Sequence, residues 1–328
     1  MIPFADQHNS RLVLVNRRDY PGSLPLTDEE HERLRASERP NVEDSEALSI
    51  LLSYSQDRAI EFHYMLRSFV LTEGLSEKSV IIICWSFGSA WLTQLLAHAP
   101  SLPTEQPQLH KYIKRVVWLG NFHLLLIHGC ILTFPPDPPY HALGYPPPSA
   151  FYNPLTDPSH PVGEGIKLFP AWVSGYYTHG DSPHELEHRT PLKEPPPTIL
   201  TMTRAEVAMA LFPGPGEVGG SDEVFLHSGV RCGLWQILRK RALLISPPSV
   251  DASEDEKESI RGWNDLELRY VWCDHSVWEL PWATWALQEE LEEAVKAGRE
   301  VRKVTLMRLR KANHFVRTFR AYNWYWYR

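Results

Sequence analysis

The stretch Cys84-Trp85-Ser86-Phe87-Gly88-Ser89 constrains this fold more than any other. The apolar, β-branched run Ser79-Val80-Ile81-Ile82-Ile83 precedes it and predicts a buried strand. An apolar, helix-prone run from Ala90 to Ala97 follows it. A strand that turns sharply at a serine and enters a helix is the setting of a nucleophile elbow. Such a turn is strained and needs small neighbours. Gly88 and Ser89 provide them on the helix side. On the strand side Cys84 stands where glycine is usual, so the motif reads C-x-S-x-G. A plainer reading competes: a buried strand, then a serine that caps a helix.

Composition narrows the function classes. The chain has 328 residues, 43% of them hydrophobic and 22% charged, which suits a folded globular protein rather than a disordered one. A net charge of -7 without any long Lys/Arg run argues against nucleic-acid binding. Cys84, Cys130, Cys232 and Cys273 are scattered, so neither a zinc site nor a disulfide framework is expected. Unpaired cysteines fit a reducing compartment, and the start of the chain has neither the basic nor the apolar segment of a secretory signal. The expected location is the cytoplasm.

Strand and helix signals alternate along the chain. Leu12–Val15 reads as a buried strand, followed by the turn-forming Asn16–Ser23. Thr27-Asp28-Glu29-Glu30 predicts a helix start through a capping box. A long helix is expected over about 45–73, then strand 79–83, helix 89–98 and strand 114–119. Residues from about 135 to 200 are rich in proline, histidine and aromatics and read as an inserted, partly irregular cap. Helical runs resume over about 205–241, broken by a Gly/Pro loop at 213–220. A helix start at 253–259, strand 268–273, helix 283–299 and strand 301–309 complete the pattern. This alternation predicts an α/β fold, a doubly wound and mostly parallel sheet with an inserted cap. The expected divisions are a first core part at 1–120, the cap at 121–230 and a second core part at 231–328.

Asp274 follows one predicted strand and His314 follows the last. In a parallel sheet the strand C-termini share one edge, so Ser86, Asp274 and His314 are expected there together. A neutral serine needs a histidine to take its proton, and the histidine needs a carboxylate to hold its tautomer. Serine, aspartate, histidine is the chain order of α/β-hydrolases. The chain resembles α/β-hydrolase fold proteins of the type abundant in fungi through L-V-L-V-N-R-R-D-Y-P-G-S at 12–23, V-I-I-I-C-W-S-F-G at 80–88, V-W-C-D-H-S-V-W at 271–278 and A-N-H-F-V at 312–316. The resemblance implies Ser86 as nucleophile, His314 as general base and Asp274 as orienting acid. It also implies the Phe87 amide as one oxyanion donor.

The resemblance has gaps. The family takes its second oxyanion donor from a glycine-containing loop after an earlier strand, yet only 11 residues precede Leu12 and none is glycine. The expectation is an N-terminally truncated member with an uncovered sheet edge. Gly120–Pro136 interrupts the pattern and reads as a retained intron or a buried segment leading into the cap. Val116–Phe134 makes 19 mostly apolar residues, a length that reaches across a bilayer, but Asn121, His123, His128 and the strand reading weigh against a span. If 120–136 is foreign, Asp137 becomes an alternative acid. The aromatic tail 321–328 reads as a packed final segment or a reading-frame artefact. His179, His184 and His188 read as solvated rather than metal-bound. No phosphate loop or metal-spaced cluster is evident, so no cofactor is expected.

The function expected is a serine hydrolase that cleaves a carboxylic ester or similar acyl bond of a small apolar molecule. The alternatives are an impaired, ligand-binding relative that turns nothing over, and a membrane-associated protein using 116–134. No motif names the substrate or sets an oligomeric state.

Overall fold

The computed structural model describes residues 8–119, 140–149, 151–161, 163–210, 212 and 214–315. Helix starts follow local chemistry. Thr27 accepts from the Glu30 amide while the Glu30 carboxylate accepts from the Thr27 amide, and this capping box opens α1 (Asp28–Ala36). Three acidic residues in its first turn and two arginines in its last suit the helix dipole. The long α2 spans Asp44–Thr72, β1 spans Val80–Trp85 and α3 spans Ser89–Ala97. Then come β2 (Ile113–Leu119), α4 (Glu164–Val173), α5 (Arg204–Ala210), α6 (Ser221–Arg231) and α7 (Leu234–Leu243). A second capping box, Ser253 with Glu256, opens α8 (Glu254–Asn264). The order closes with β3 (Leu268–Cys273), α9 (Glu279–Lys296) and β4 (Val304–Leu309).

The four strands form one parallel sheet in the order β1-β2-β3-β4. Each strand is laid beside its predecessor in the same direction. A right-handed crossover between such neighbours puts its helix on one and the same face. The packing agrees. Ile82, Val116, Trp118, Leu268 and Tyr270 join the core with residues of α2, α3, α7 and α9. On the opposite face Ile81 and Ile83 stay 48% and 53% exposed. The described residues therefore wind on one face. The second helical layer that a doubly wound sheet requires, and that parallel sheets ordinarily carry, is not among them.

Leu12–Val15 corrects the expected first strand. It carries no strand structure, and its four side chains are 39% to 57% exposed. β-branched residues favour a strand only where a neighbouring backbone pairs with them. Here Arg11 pairs with Glu73 at 2.9 Å and lies over the Phe69 ring, which holds the approach to the run beside the end of α2 instead. Two other boundaries move. α9 begins at Glu279 rather than 283, because Pro281 fits the first helical turn, where a missing N–H costs nothing. β4 begins at Val304 rather than 301, because Val301 bridges Leu244 and Arg302 turns inward. The Arg302 guanidinium donates to the carbonyls of Ala242, Trp263 and Leu266, knitting the ends of α7 and α8 to the start of β3. Residues 120–139, with Asp137, and the tail 321–328 lie outside the described residues.

Candidate active site

β1 ends at Trp85, whose backbone is still extended, and the chain reverses within one 3-10 turn, Ser86–Gly88. Ser86 adopts φ +54°. A non-glycine residue in the left-handed region gives up about 1–2 kcal/mol, so the surroundings must hold it. They do so on both sides. The Ser89 hydroxyl donates to the Ser86 carbonyl at 2.6 Å, and the Thr93 hydroxyl donates to the Ser89 carbonyl at 2.9 Å. The Phe87 ring is buried, edge-on to Trp91 at 5.4 Å and to Trp235 at 5.8 Å. Cys84 pairs across the ladder with Trp118 and packs against the core. Burial pushes its thiol up to about 12, so it remains a neutral group rather than a competing nucleophile.

His314 reaches this turn from the far side of the sheet. It is buried, and its imidazole is stacked on the Trp85 indole with centroids 5.4 Å apart. Phe315 closes the group, perpendicular to His314 at 5.3 Å and to Trp85 at 6.2 Å. Asn313 anchors the same loop. Its buried amide donates to the Ser174 carbonyl at 2.6 Å and to the Thr198 hydroxyl at 2.9 Å, while its carbonyl accepts from the Phe315 amide. The loops after β3 and β4 are laced together by Asp274 N to Leu309 O and His275 N to Ala312 O, at 3.1 and 3.0 Å.

Asp274 thus sits at the same end of the sheet as Ser86 and His314. Its carboxylate accepts from Arg308 Nε at 3.0 Å and from the Lys311 amide at 2.6 Å. At this edge the stacking of His314 on Trp85 links the last loop to the Ser86 turn. Phe87 occupies the middle of the turn. Asp137, the alternative acid, lies outside the described residues.

The histidine-rich loop corrects one expectation. His184 is exposed, but His179 is only partly so. His179 Nδ1 accepts from the Glu187 amide, which leaves Nε2 to donate to the Ser276 carbonyl at 2.7 Å. His188 lies against the Trp278 ring. Burial lowers the pKa of both, so both favour the neutral form. His179 is a structural bridge between the 174–198 segment and the loop after β3. Trp85, Asn313 and Arg17 carry no sequence signal of their own. Each stands within or beside a recognised motif, but only packing gives it a partner. Among the described residues no helix is long and apolar enough to cross a membrane. Comparison with protein families, with characterised proteins and with solved structures finds no match.

Proposed function

We propose that this chain is an α/β-hydrolase-like serine hydrolase acting on a carboxylic ester or similar acyl bond of a small apolar molecule. Ser86 is the nucleophile. Its Oγ attacks the acyl carbon as His314 takes the hydroxyl proton. The bond to the leaving oxygen breaks, and His314 returns the proton to that oxygen. A water, deprotonated by His314, then releases the acid and regenerates Ser86. The Phe87 amide donates to the oxyanion. Asp274 is the orienting acid and Asp137 its alternative. Residues 121–230 act as the cap, the site is cytoplasmic, and no cofactor takes part.

One observation carries this reading: Ser86 holds φ +54° at the tip of a strand–turn–helix. A serine that merely caps a helix has no reason to take a left-handed backbone, since caps use the extended region. The stacking of His314 on Trp85 supports the assignment of the base. The test is a fluorophosphonate probe, read by intact mass, on the chain and on Ser86→Ala. A single adduct lost in the variant is the expected result. No adduct on folded protein would sink the reading.

A second reading has its own support. The Asp274 carboxylate is already engaged by Arg308 and the Lys311 amide. If Arg308 and Lys311 hold Asp274 in a purely structural role, the chain binds an apolar ligand without turning it over. Unlabelled but folded protein that still takes up a long-chain ester would favour this alternative.

A further inference from the structure

The hydrolysis proposed above makes no use of Arg17, yet this charged side chain is enclosed beside the turn that carries Ser86. Its guanidinium carbon lies 4.4 Å from the Trp91 ring centroid, 4.7 Å from Tyr20 and 5.6 Å from Phe87. A β-carbon added to Gly88 would stand 4.0 Å from its Nη1. Nη2 donates to the Tyr20 hydroxyl at 2.7 Å and to Asp222, and the Tyr20 hydroxyl also donates to Asp222. Asp222 lies in the first turn of α6, where the helix dipole favours an anion. One guanidinium therefore joins three pieces far apart in sequence: loop 16–23, the turn 86–88 and helix α6.

Phe87 transmits this to the site. Its ring is held by Trp91, Trp235 and Arg17, and its backbone is the next link after the left-handed Ser86. If the ring moves, the peptide that joins Ser86 to Phe87 moves with it. A planar, always-charged guanidinium suits the seat, since it can stack on aromatic faces and bind a carboxylate at once. We propose that Arg17 is a positioning residue that locks the Ser86–Phe87 turn through the Phe87 and Trp91 rings, with Asp222 and Tyr20 holding it in place. Under the hydrolase reading, on which this consequence rests, Arg17 keeps the Phe87 amide aimed at the oxyanion.

Cys84 reports on the turn without requiring any activity. It lies two residues before Ser86, whereas Cys273 is buried on β3 and reports on wider opening. In Arg17→Met the alkylation rate of Cys84 relative to Cys273, followed by peptide-resolved mass, is expected to rise about ten-fold or more. Tyr20→Phe keeps the ring, removes the hydroxyl's bonds to Arg17 and Asp222, and is expected to raise the ratio a few-fold. Ser86 labelling by the fluorophosphonate should slow in the same order. A ratio unchanged in both variants, or both cysteines speeding up together, overturns the proposal in favour of an ion pair that only staples the fold. If Arg17→Met does not fold, the Tyr20→Phe ratio decides alone. If the unaltered chain takes no label, the hydrolase reading fails, while the cysteine ratio still decides the role of Arg17.

Discussion

The His314 imidazole lies on the Trp85 indole, with centroids 5.4 Å apart and planes inclined by 26°. Trp85 is the residue before Ser86, so the strand that carries the nucleophile candidate also seats the base candidate. Trp85→Ala removes that seat and frees the imidazole to turn. Fluorophosphonate labelling of Ser86 should then slow by about 10- to 100-fold, part of what a positioned base contributes. Labelling at the original rate in folded Trp85→Ala would show that the stacking is incidental.

The acid can be assigned by paired variants. A triad with its carboxylate made an amide loses about 10⁴ in rate because the histidine takes the wrong tautomer. Asp274→Asn should show a loss of that order in Ser86 labelling, with Asp137→Asn near the unaltered rate. The reverse pattern assigns the role to Asp137 and leaves Asp274 as the anchor for Arg308 and the Lys311 amide.

Asn313 should matter for stability as well as for the site. Asn313→Ala removes the amide that donates to the buried Thr198 hydroxyl and one of two donors to the Ser174 carbonyl, which keeps the Thr198 amide at 2.8 Å, at a cost of roughly 1–3 kcal/mol. Urea unfolding checks this, through a lower midpoint at unchanged slope. An unmoved midpoint would mean that water replaces the amide freely.

His63 and His98 predict a pH response. Burial is the main cause that lowers each to about 4, with the positive charges of Arg67 and Arg241 adding to it. The unfolded chain therefore binds protons that the folded chain refuses between roughly pH 6.5 and 4. Stability should fall as pH drops through that window and level off below it. His63 is fully buried with no hydrogen-bond partner among the described residues for either ring nitrogen. His63→Leu should therefore flatten the pH dependence without loss of stability at pH 7. A melting profile of unchanged shape from pH 7 to 4 would contradict the assignment.

The sheet face that the described residues leave exposed makes a solubility prediction. Ile81 and Ile83 are about half exposed on β1, and an exposed apolar strand invites pairing with other chains. Ile81→Thr with Ile83→Thr keeps β-branching and should suppress light scattering on standing, with the thermal midpoint nearly unchanged. If the midpoint collapses, those residues are covered in the folded protein.

Local chemistry made much of this architecture legible beforehand. The capping box at Thr27, the helix start at 253–259, the long helix, strands β1, β2 and β3 and the turn at Ser86 follow from residue patterns that act within a few positions. Such signals survive in a sequence because capping, periodicity and small-residue turns are short-range effects. Leu12–Val15 carries equally good strand chemistry and does not form one, since pairing depends on a partner that sequence proximity does not supply. The same limit applies to the site. Serine, aspartate and histidine in that order announce a candidate set. That Trp85 seats His314, that Arg308 and Lys311 hold Asp274, and that Arg17 lies against Phe87 are contacts between distant segments. Packing alone decides them, because each depends on which faces of the folded chain come to rest against one another.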